Sequence, residues 1–403
     1  MTMKKNYLLS FLFILLLGIT SCQKDDDGGP SVKYTNLTEA TSFLSRSAGE
    51  LKTFVAVAGI DIPTDRFIYN VDIYKITYET TYKGQTITAS GVVILPDTEE
   101  KVSMISFQHG TIASHAEAPS ASSLQSTSLI LYAAMASPGF ITVVPDFIGF
   151  GASKELLHPY YVKEATATAV VDALKAAHQL AQEKNVNFNS NLFLAGYSQG
   201  GYATMAAQQS IENDPLPGFD LKASFPSSGG YDVKGMQEYF FGLETYDNPF
   251  FLAYVALAYQ TYYDWTEPLS NFFNEPYAAE IPALFDGSKS GGQINEELSY
   301  TISELVQPDL LENIDTNPDY QYLVDGFNDN GLTDWTPTTK TYMFHGTADV
   351  TVPYQNSVDS YNKLIENGTP TSVLTLTPLE GFTHYTGVVP YVEAFVPLLL
   401  EYQ

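Results

Sequence analysis

Residues 191–201 read Asn-Leu-Phe-Leu-Ala-Gly-Tyr-Ser-Gln-Gly-Gly, and they put Ser198 where covalent chemistry is possible. A short apolar run with the length of a buried strand meets Gly-Tyr-Ser-Gln-Gly. Tyr202 to Ile211 then has the small-residue content of a helix. A serine on so sharp a strand-to-helix turn presents its hydroxyl at the strand end, and the crowding of that turn calls for Gly196 and Gly200 on either side. A serine hydroxyl is a poor nucleophile near neutral pH. It needs a base within hydrogen-bond reach and a third group to orient that base.

On a strand–turn–helix scaffold the partners follow the serine in the order acid, then histidine. Four of the six histidines (His109, His115, His158 and His178) precede Ser198. His345 falls inside the apolar run Tyr-Met-Phe-His-Gly, where a buried and satisfied ring is expected. His384 sits in the loop Glu380-Gly-Phe-Thr-His-Tyr385, just past a last strand, and is the expected base. Asp349, in Gly346-Thr-Ala-Asp-Val-Thr-Val-Pro353, follows the strand before that one and is the favoured acid. Asp232, after the strand that precedes a long insertion, stays open as its competitor. Developing negative charge on the substrate needs backbone N–H donors. Gln199, at the start of its helix, should supply one. Thr111, in the loop His109-Gly110-Thr111, should supply the other, with Gly110 allowing close approach and His109 bracing the loop.

These residues need a scaffold, and the hydrophobic periodicity supplies one. Asn36 to Ala58 suggests one or two helices, with Thr38 as N-cap and Gly59 as stop. Val71 to Thr80 and Thr86 to Leu95 form a hairpin around Lys83-Gly84, expected at the sheet edge. Strands are expected at Val102–Phe107, Phe140–Val144, Leu221–Phe225, Thr341–His345 and Ser372–Thr377. Helices are expected at Ser126–Ser137, Glu164–Lys184, Tyr354–Glu366 and from about Val389. Such alternation predicts an α/β fold with a mostly parallel central sheet and helices on both faces. Between about Tyr231 and Pro337 it breaks into helical patches and aromatic clusters such as Tyr262-Tyr263-Asp264-Trp265. The expected organisation is therefore a core in two parts, 36–230 and 338–403, with a helical, aromatic-rich cap at 231–337.

The 403 residues carry 46 acids against 19 Lys and Arg, a formal net charge of −27. That excludes a nucleic-acid partner and electrostatic binding to anionic headgroups. No metal-ligand set, phosphate loop or dinucleotide fingerprint is found, so no cofactor is expected. Lys4 and Lys5, followed by the apolar run Tyr7–Leu17, read as a targeting segment too short to span a bilayer. Ile19-Thr20-Ser21-Cys22 resembles a bacterial lipoprotein signal, with 1–21 removed and Cys22 lipidated. Residues 22–35, in which Cys22 is followed by Gln-Lys-Asp-Asp-Asp-Gly-Gly-Pro, read as an acidic tether. The expectation is an exported lipoprotein at the outer membrane or surface of a Gram-negative bacterium, held to the membrane only by its N-terminal lipid. Cys22 is the chain's one cysteine, so no intrachain disulfide can form.

Over about 65–403 the chain resembles the α/β-hydrolases, and within them the secreted-lipase and carboxylesterase branch. The resemblance rests on the hairpin ending Ser90-Gly-Val-Val-Ile-Leu-Pro96, on His109-Gly-Thr111 and on Pro145-Asp-Phe-Ile-Gly-Phe-Gly151. Gly-Tyr-Ser-Gln-Gly, a helical cap, the Gly-Thr-Ala-Asp loop and the Gly-Phe-Thr-His loop complete it. It implies hydrolysis of a small-molecule, lipid or glycan ester through an acyl-enzyme on Ser198, with His384 and Asp349 as partners. The alternatives are a serine exopeptidase of the same fold, for which Glu238 and Glu244 could bind a free amine, an esterase removing acyl or feruloyl groups from glycans, and a non-catalytic binding protein.

Overall fold

The computed structural model describes residues 32–123 and 126–403. The proposed signal at 1–21, the lipidation site Cys22 and the first part of the tether lie outside the described residues.

Among the described residues, nine strands form one sheet: β1 (Leu37–Arg46), β2 (Val71–Tyr82), β3 (Gln85–Pro96), β4 (Val102–Gln108), β5 (Phe140–Pro145), β6 (Phe188–Tyr197), β7 (Asp220–Ser227), β8 (Lys340–Gly346) and β9 (Leu374–Leu379). Their order is β1-β2-β3-β5-β4-β6-β7-β8-β9. From β5 to β9 all pairings are parallel, while β1, β2 and β3 add antiparallel strands on one side. Helices α1 (Ala48–Ala58), α2 (Thr127–Ala136), α3 (Lys163–Glu183) and α4 (Gln199–Asn213) interleave with the strands. The chain between β7 and β8 is helical: α5 (Val233–Phe241), α6 (Phe250–Tyr262), α7 (Tyr277–Leu284), α8 (Gly291–Asn295), α9 (Ile302–Leu305), α10 (Pro308–Asn313) and α11 (Gln321–Asp329). Helices α12 (Tyr354–Glu366) and α13 (Val388–Leu400) close the order.

Successive side chains on a strand point to opposite faces, and the central strands are apolar on both. On β6, Leu192 and Leu194 join the core under α3 and α4, while Phe193 and Ala195 join the core under α13. β5 divides likewise: Ile141 and Val143 face the first core, and Phe140 packs edge-on to Phe193 in the second, ring centroids 5.9 Å apart. Burying one such ring is worth about 1.5–3 kcal/mol, so a one-residue slip in β6 would be opposed from both sides. Residues 33–403 form one contact unit, with the β7–β8 helices continuous with the first core.

One stretch departs from expectation. Residues 37–46 form strand β1, not the start of a helix, and β1 rather than the hairpin is the sheet edge. Its Thr- and Ser-rich sequence is half exposed and pairs antiparallel along β2, so sheet pairing overrides the helical spacing. The helix starts later, and its cap is Ser47, not Thr38. The Ser47 hydroxyl accepts from Glu50 N–H and the Glu50 carboxylate accepts from Ser47 N–H (2.8 Å). Gly59 ends it in the left-handed region, as expected.

Candidate active site

Ser198 stands between the last residue of β6 and the first of α4, with φ 60° and ψ −124°. Positive φ is costly for a residue with a Cβ, and here the neighbours enforce it. A Cβ on Gly196 would collide with the Gly200 carbonyl, and one on Gly200 with the Gln108 carbonyl at the end of β4. The turn is also pinned from below. Tyr391 on α13 accepts from Gly196 N–H (3.0 Å) and donates to the Phe225 carbonyl of β7 (2.5 Å).

The structure brings Ser198, His384 and Asp349 together across 186 and 35 positions of sequence. His384 Nε2 lies 2.8 Å from Ser198 Oγ, and His384 Nδ1 lies 2.6 Å from Asp349 Oδ2. With Nδ1–H donated to the carboxylate, Nε2 is left to accept the serine proton. Tyr197 steadies the histidine loop by donating to the His384 carbonyl (2.7 Å). Asp349 Oδ1 accepts from Thr351 N–H and Val352 N–H, both at 3.0 Å. Burial works to raise the Asp349 carboxyl, but hydrogen bonds from His345 and His384 outweigh it and leave its pKa below the ordinary value. The competitor, Asp232, is committed elsewhere: its carboxylate N-caps α5 by accepting from Gly235 N–H (2.9 Å).

α4 begins at Gln199, whose N–H is among those a helix leaves without an internal acceptor. The loop after β4 passes close by. A Cβ on Gly110 would lie 3.5 Å from the Tyr197 carbonyl and 3.7 Å from Ser198 Cβ, and Thr111 is the next residue. Thr111 Oγ1 is hydrogen-bonded to Tyr160 OH (2.8 Å). His109 braces the loop, with Nδ1 2.7 Å from the Gly110 carbonyl and Nε2 3.3 Å from the Asp146 carbonyl, and burial lowers its pKa. The Gln199 side chain has a partner that sequence did not reveal. Its Nε2–H donates to His158 Nε2 (2.6 Å), while His158 donates Nδ1–H to the Ile148 carbonyl (2.6 Å). Burial pushes the His158 pKa down to about 3, which keeps the ring neutral and Nε2 free to accept. Asp146 accepts from Ser90 Oγ (2.6 Å) and Ser120 N–H (2.8 Å), a structural engagement.

Ser198 opens onto a cavity of about 950 Å³, its mouth included, running into the β7–β8 helices. Tyr160, Tyr161, Met236, Phe240, Val255 and Phe327 are among the residues that line it. Among the described residues that line it, none is charged. Glu238 is instead 62% exposed and paired with Lys234 (2.9 Å), and Glu244 is exposed. Neither acid lines the cavity. The helical segment is latched to both loops of the relay. Tyr246 OH donates to the Thr351 carbonyl (3.0 Å), and Tyr385 OH donates to Asn248 Oδ1 (3.0 Å).

Sequence reasoning took His345 as a buried, satisfied ring without assigning its partners, and did not find Tyr391, Tyr160 or His158 as site neighbours. Their signals were a histidine four residues before the acid and aromatics with no motif around them.

The secretory lipase family profile matches residues 111–215, which include the serine turn. A Legionella pneumophila protein assigned as a hydrolase is 25% identical, with 92% of this chain and 99% of that one covered at a TM-score of 0.81. The rice cell wall degrading esterase LipA from Xanthomonas oryzae, in a ligand-bound form, is also 25% identical, with 91% and 97% covered at a TM-score of 0.79. Candida antarctica lipase A in its closed state shares the fold at 15% identity, with 91% and 82% covered and a TM-score of 0.65. No curated protein matches the chain. The serine turn, the sheet order and these likenesses agree: the chain is a lipase- and esterase-like α/β-hydrolase, an enzyme that hydrolyses ester bonds.

Proposed function

We propose that the chain hydrolyses carboxylic esters through an acyl-enzyme formed on Ser198. The observation that carries this reading is the unbroken relay from Ser198 Oγ to His384 (2.8 Å) and from His384 to Asp349 (2.6 Å). His384 takes the hydroxyl proton as Ser198 attacks the ester carbonyl, then passes it to the departing alkoxide. Asp349 holds the imidazole tautomer and stabilises the imidazolium. The N–H groups of Gln199 and Thr111 receive the oxyanion, and the positive end of α4 adds to them. Water then attacks the acyl-serine, with His384 as base. An uncharged, aromatic-lined cavity opening on Ser198 suits an apolar acyl group and offers no anchor for a free α-amine, which favours esters over exopeptidase substrates.

A p-nitrophenyl ester series from acetyl to dodecanoyl tests this. Ser198→Ala should lose roughly 10⁴-fold or more in kcat; turnover equal to that of the parent enzyme would overturn the reading. We further propose export, with Cys22 lipidated and 22–35 as tether. This is supported by the sequence Ile19-Thr20-Ser21-Cys22 and by the secretory character of the matched family. Among the described residues, no helix is long and apolar enough to cross a membrane.

A further inference from the structure

The relay does not end at the acid. Asp349 Oδ2, the oxygen that receives His384 Nδ1–H, also lies 3.2 Å from His345 Nε2. His345 is fully buried at the end of β8. The same Nε2 lies 2.9 Å from the Val352 carbonyl. A carboxylate and a carbonyl are both acceptors, so Nε2 must carry the hydrogen that separates them. On the far side of the ring, Nδ1 lies 2.6 Å from Ser357 Oγ, a fully buried hydroxyl on α12. With Nε2 protonated, Nδ1 of a neutral ring accepts from Ser357, and that contact holds the tautomer.

We propose that His345 is a positioning residue for ester hydrolysis: a second imidazole, locked by Ser357, that donates a fixed hydrogen bond to the acid of the relay. This rests on the reading of Ser198, His384 and Asp349 given above. Two consequences follow from the geometry. His345 closes the turn 349–352, because its one hydrogen bridges two oxygens that would otherwise repel. It also takes up part of the charge on Oδ2, so the carboxylate stabilises the His384 imidazolium less than an unshared carboxylate would. Tyrosines surround this cluster, Tyr161 and Tyr239 among them, with the carboxylates of Glu380 and Asp247 beyond Tyr354 and Tyr385. Tyr354 meets the His345 ring at 5.8 Å, Tyr197 and Tyr385 meet His384 at 5.5 and 5.8 Å, and Tyr246 binds the Thr351 carbonyl. Burial raises Tyr354, Tyr197, Tyr385 and Tyr246 above the ordinary tyrosine range, so these hydroxyls stay protonated near neutral pH.

The test is the pH profile of kcat and kcat/KM on p-nitrophenyl butyrate for the parent enzyme and for Ser198→Ala, His345→Phe, His345→Gln and Ser357→Ala. His345→Phe removes the donor and should lower kcat roughly 10- to 100-fold, the worth of a hydrogen bond to a charged group. KM should stay within about twofold, because the cavity is untouched. The acidic limb should move up by about half a pH unit as Asp349 regains its full charge. His345→Gln keeps an N–H and should recover most of the loss. Ser357→Ala, a milder change than losing the ring, should shift the limb the same way by a smaller amount. An unmoved limb in all three variants, with kcat following only the folded fraction measured by circular dichroism, would overturn the proposal and leave the ester-hydrolase reading intact. A Ser198→Ala enzyme as active as the parent would instead remove that reading, and the role of His345 with it.

Discussion

At the scale of single residues, the question is which acid serves His384. Asp349 lies 2.6 Å from its Nδ1, whereas Asp232 spends its carboxylate on the first turn of α5. The two can be separated by mutation. Asp349→Asn should lower kcat by about 10⁴-fold with the fold retained, because an amide favours the wrong imidazole tautomer. Asp232→Ala should leave kcat within about twofold and instead cost about 1 kcal/mol of stability in urea unfolding, the worth of an N-cap. Ester kinetics beside a denaturation curve distinguishes them, and the reverse pattern would make Asp232 the acid. That Ser198, His384 and Asp349 would meet was legible in the sequence, because each follows an apolar run and they come in the chain order serine, acid, histidine. His345 was not legible as part of the site. A histidine inside a strand has a sufficient explanation in burial, and only coordinates reveal that its Nε2–H meets the acid.

At the scale of elements, the sharp turn between β6 and α4 sets the geometry. Its two flanking glycines do different work from Gly110 in the facing loop. A Cβ on Gly200 would run into backbone at Gln108, which cannot move without displacing β4. A Cβ on Gly110 would meet the Tyr197 carbonyl at 3.5 Å and Ser198 Cβ at 3.7 Å, ordinary contacts. Gly200→Ala should therefore destabilise the protein by about 3 kcal/mol or more. Gly110→Ala should unfold within about 0.5 kcal/mol of the parent, as expected where no contact is broken. Its methyl group, placed beside the nucleophile, should nevertheless lower kcat/KM. Thermal melts with ester kinetics read both outcomes, and equal stability losses would contradict the contrast. The central strands and the helices around them were readable because burial on both faces leaves continuous apolar runs. Edge strand β1 was not. It is half exposed, its sequence tolerates a helix, and the choice is made by pairing with β2, which local spacing does not encode. The capping box at Ser47-Ala-Gly-Glu50 was present in the sequence and marked the true helix start.

At the scale of the whole molecule, the sheet brings three loops to one rim while the helices between β7 and β8 roof it with an uncharged cavity. The aromatic clusters of that segment announced an apolar region, but its shape depends on contacts between helices far apart in sequence. The net charge of −27 and the neutral cavity separate two tasks: acids keep the surface solvated, and the site is left to apolar ligands. The central claim is that Ser198 is the activated nucleophile, and it is tested most directly by covalent labelling. The folded protein is treated with a fluorophosphonate, which loses fluoride to an activated serine, and the adduct is located by peptide mass spectrometry. The expected result is a single adduct on Ser198, abolished in His384→Ala. No adduct on the native protein, an adduct on another residue, or labelling of Ser198 that persists undiminished without His384 would contradict it.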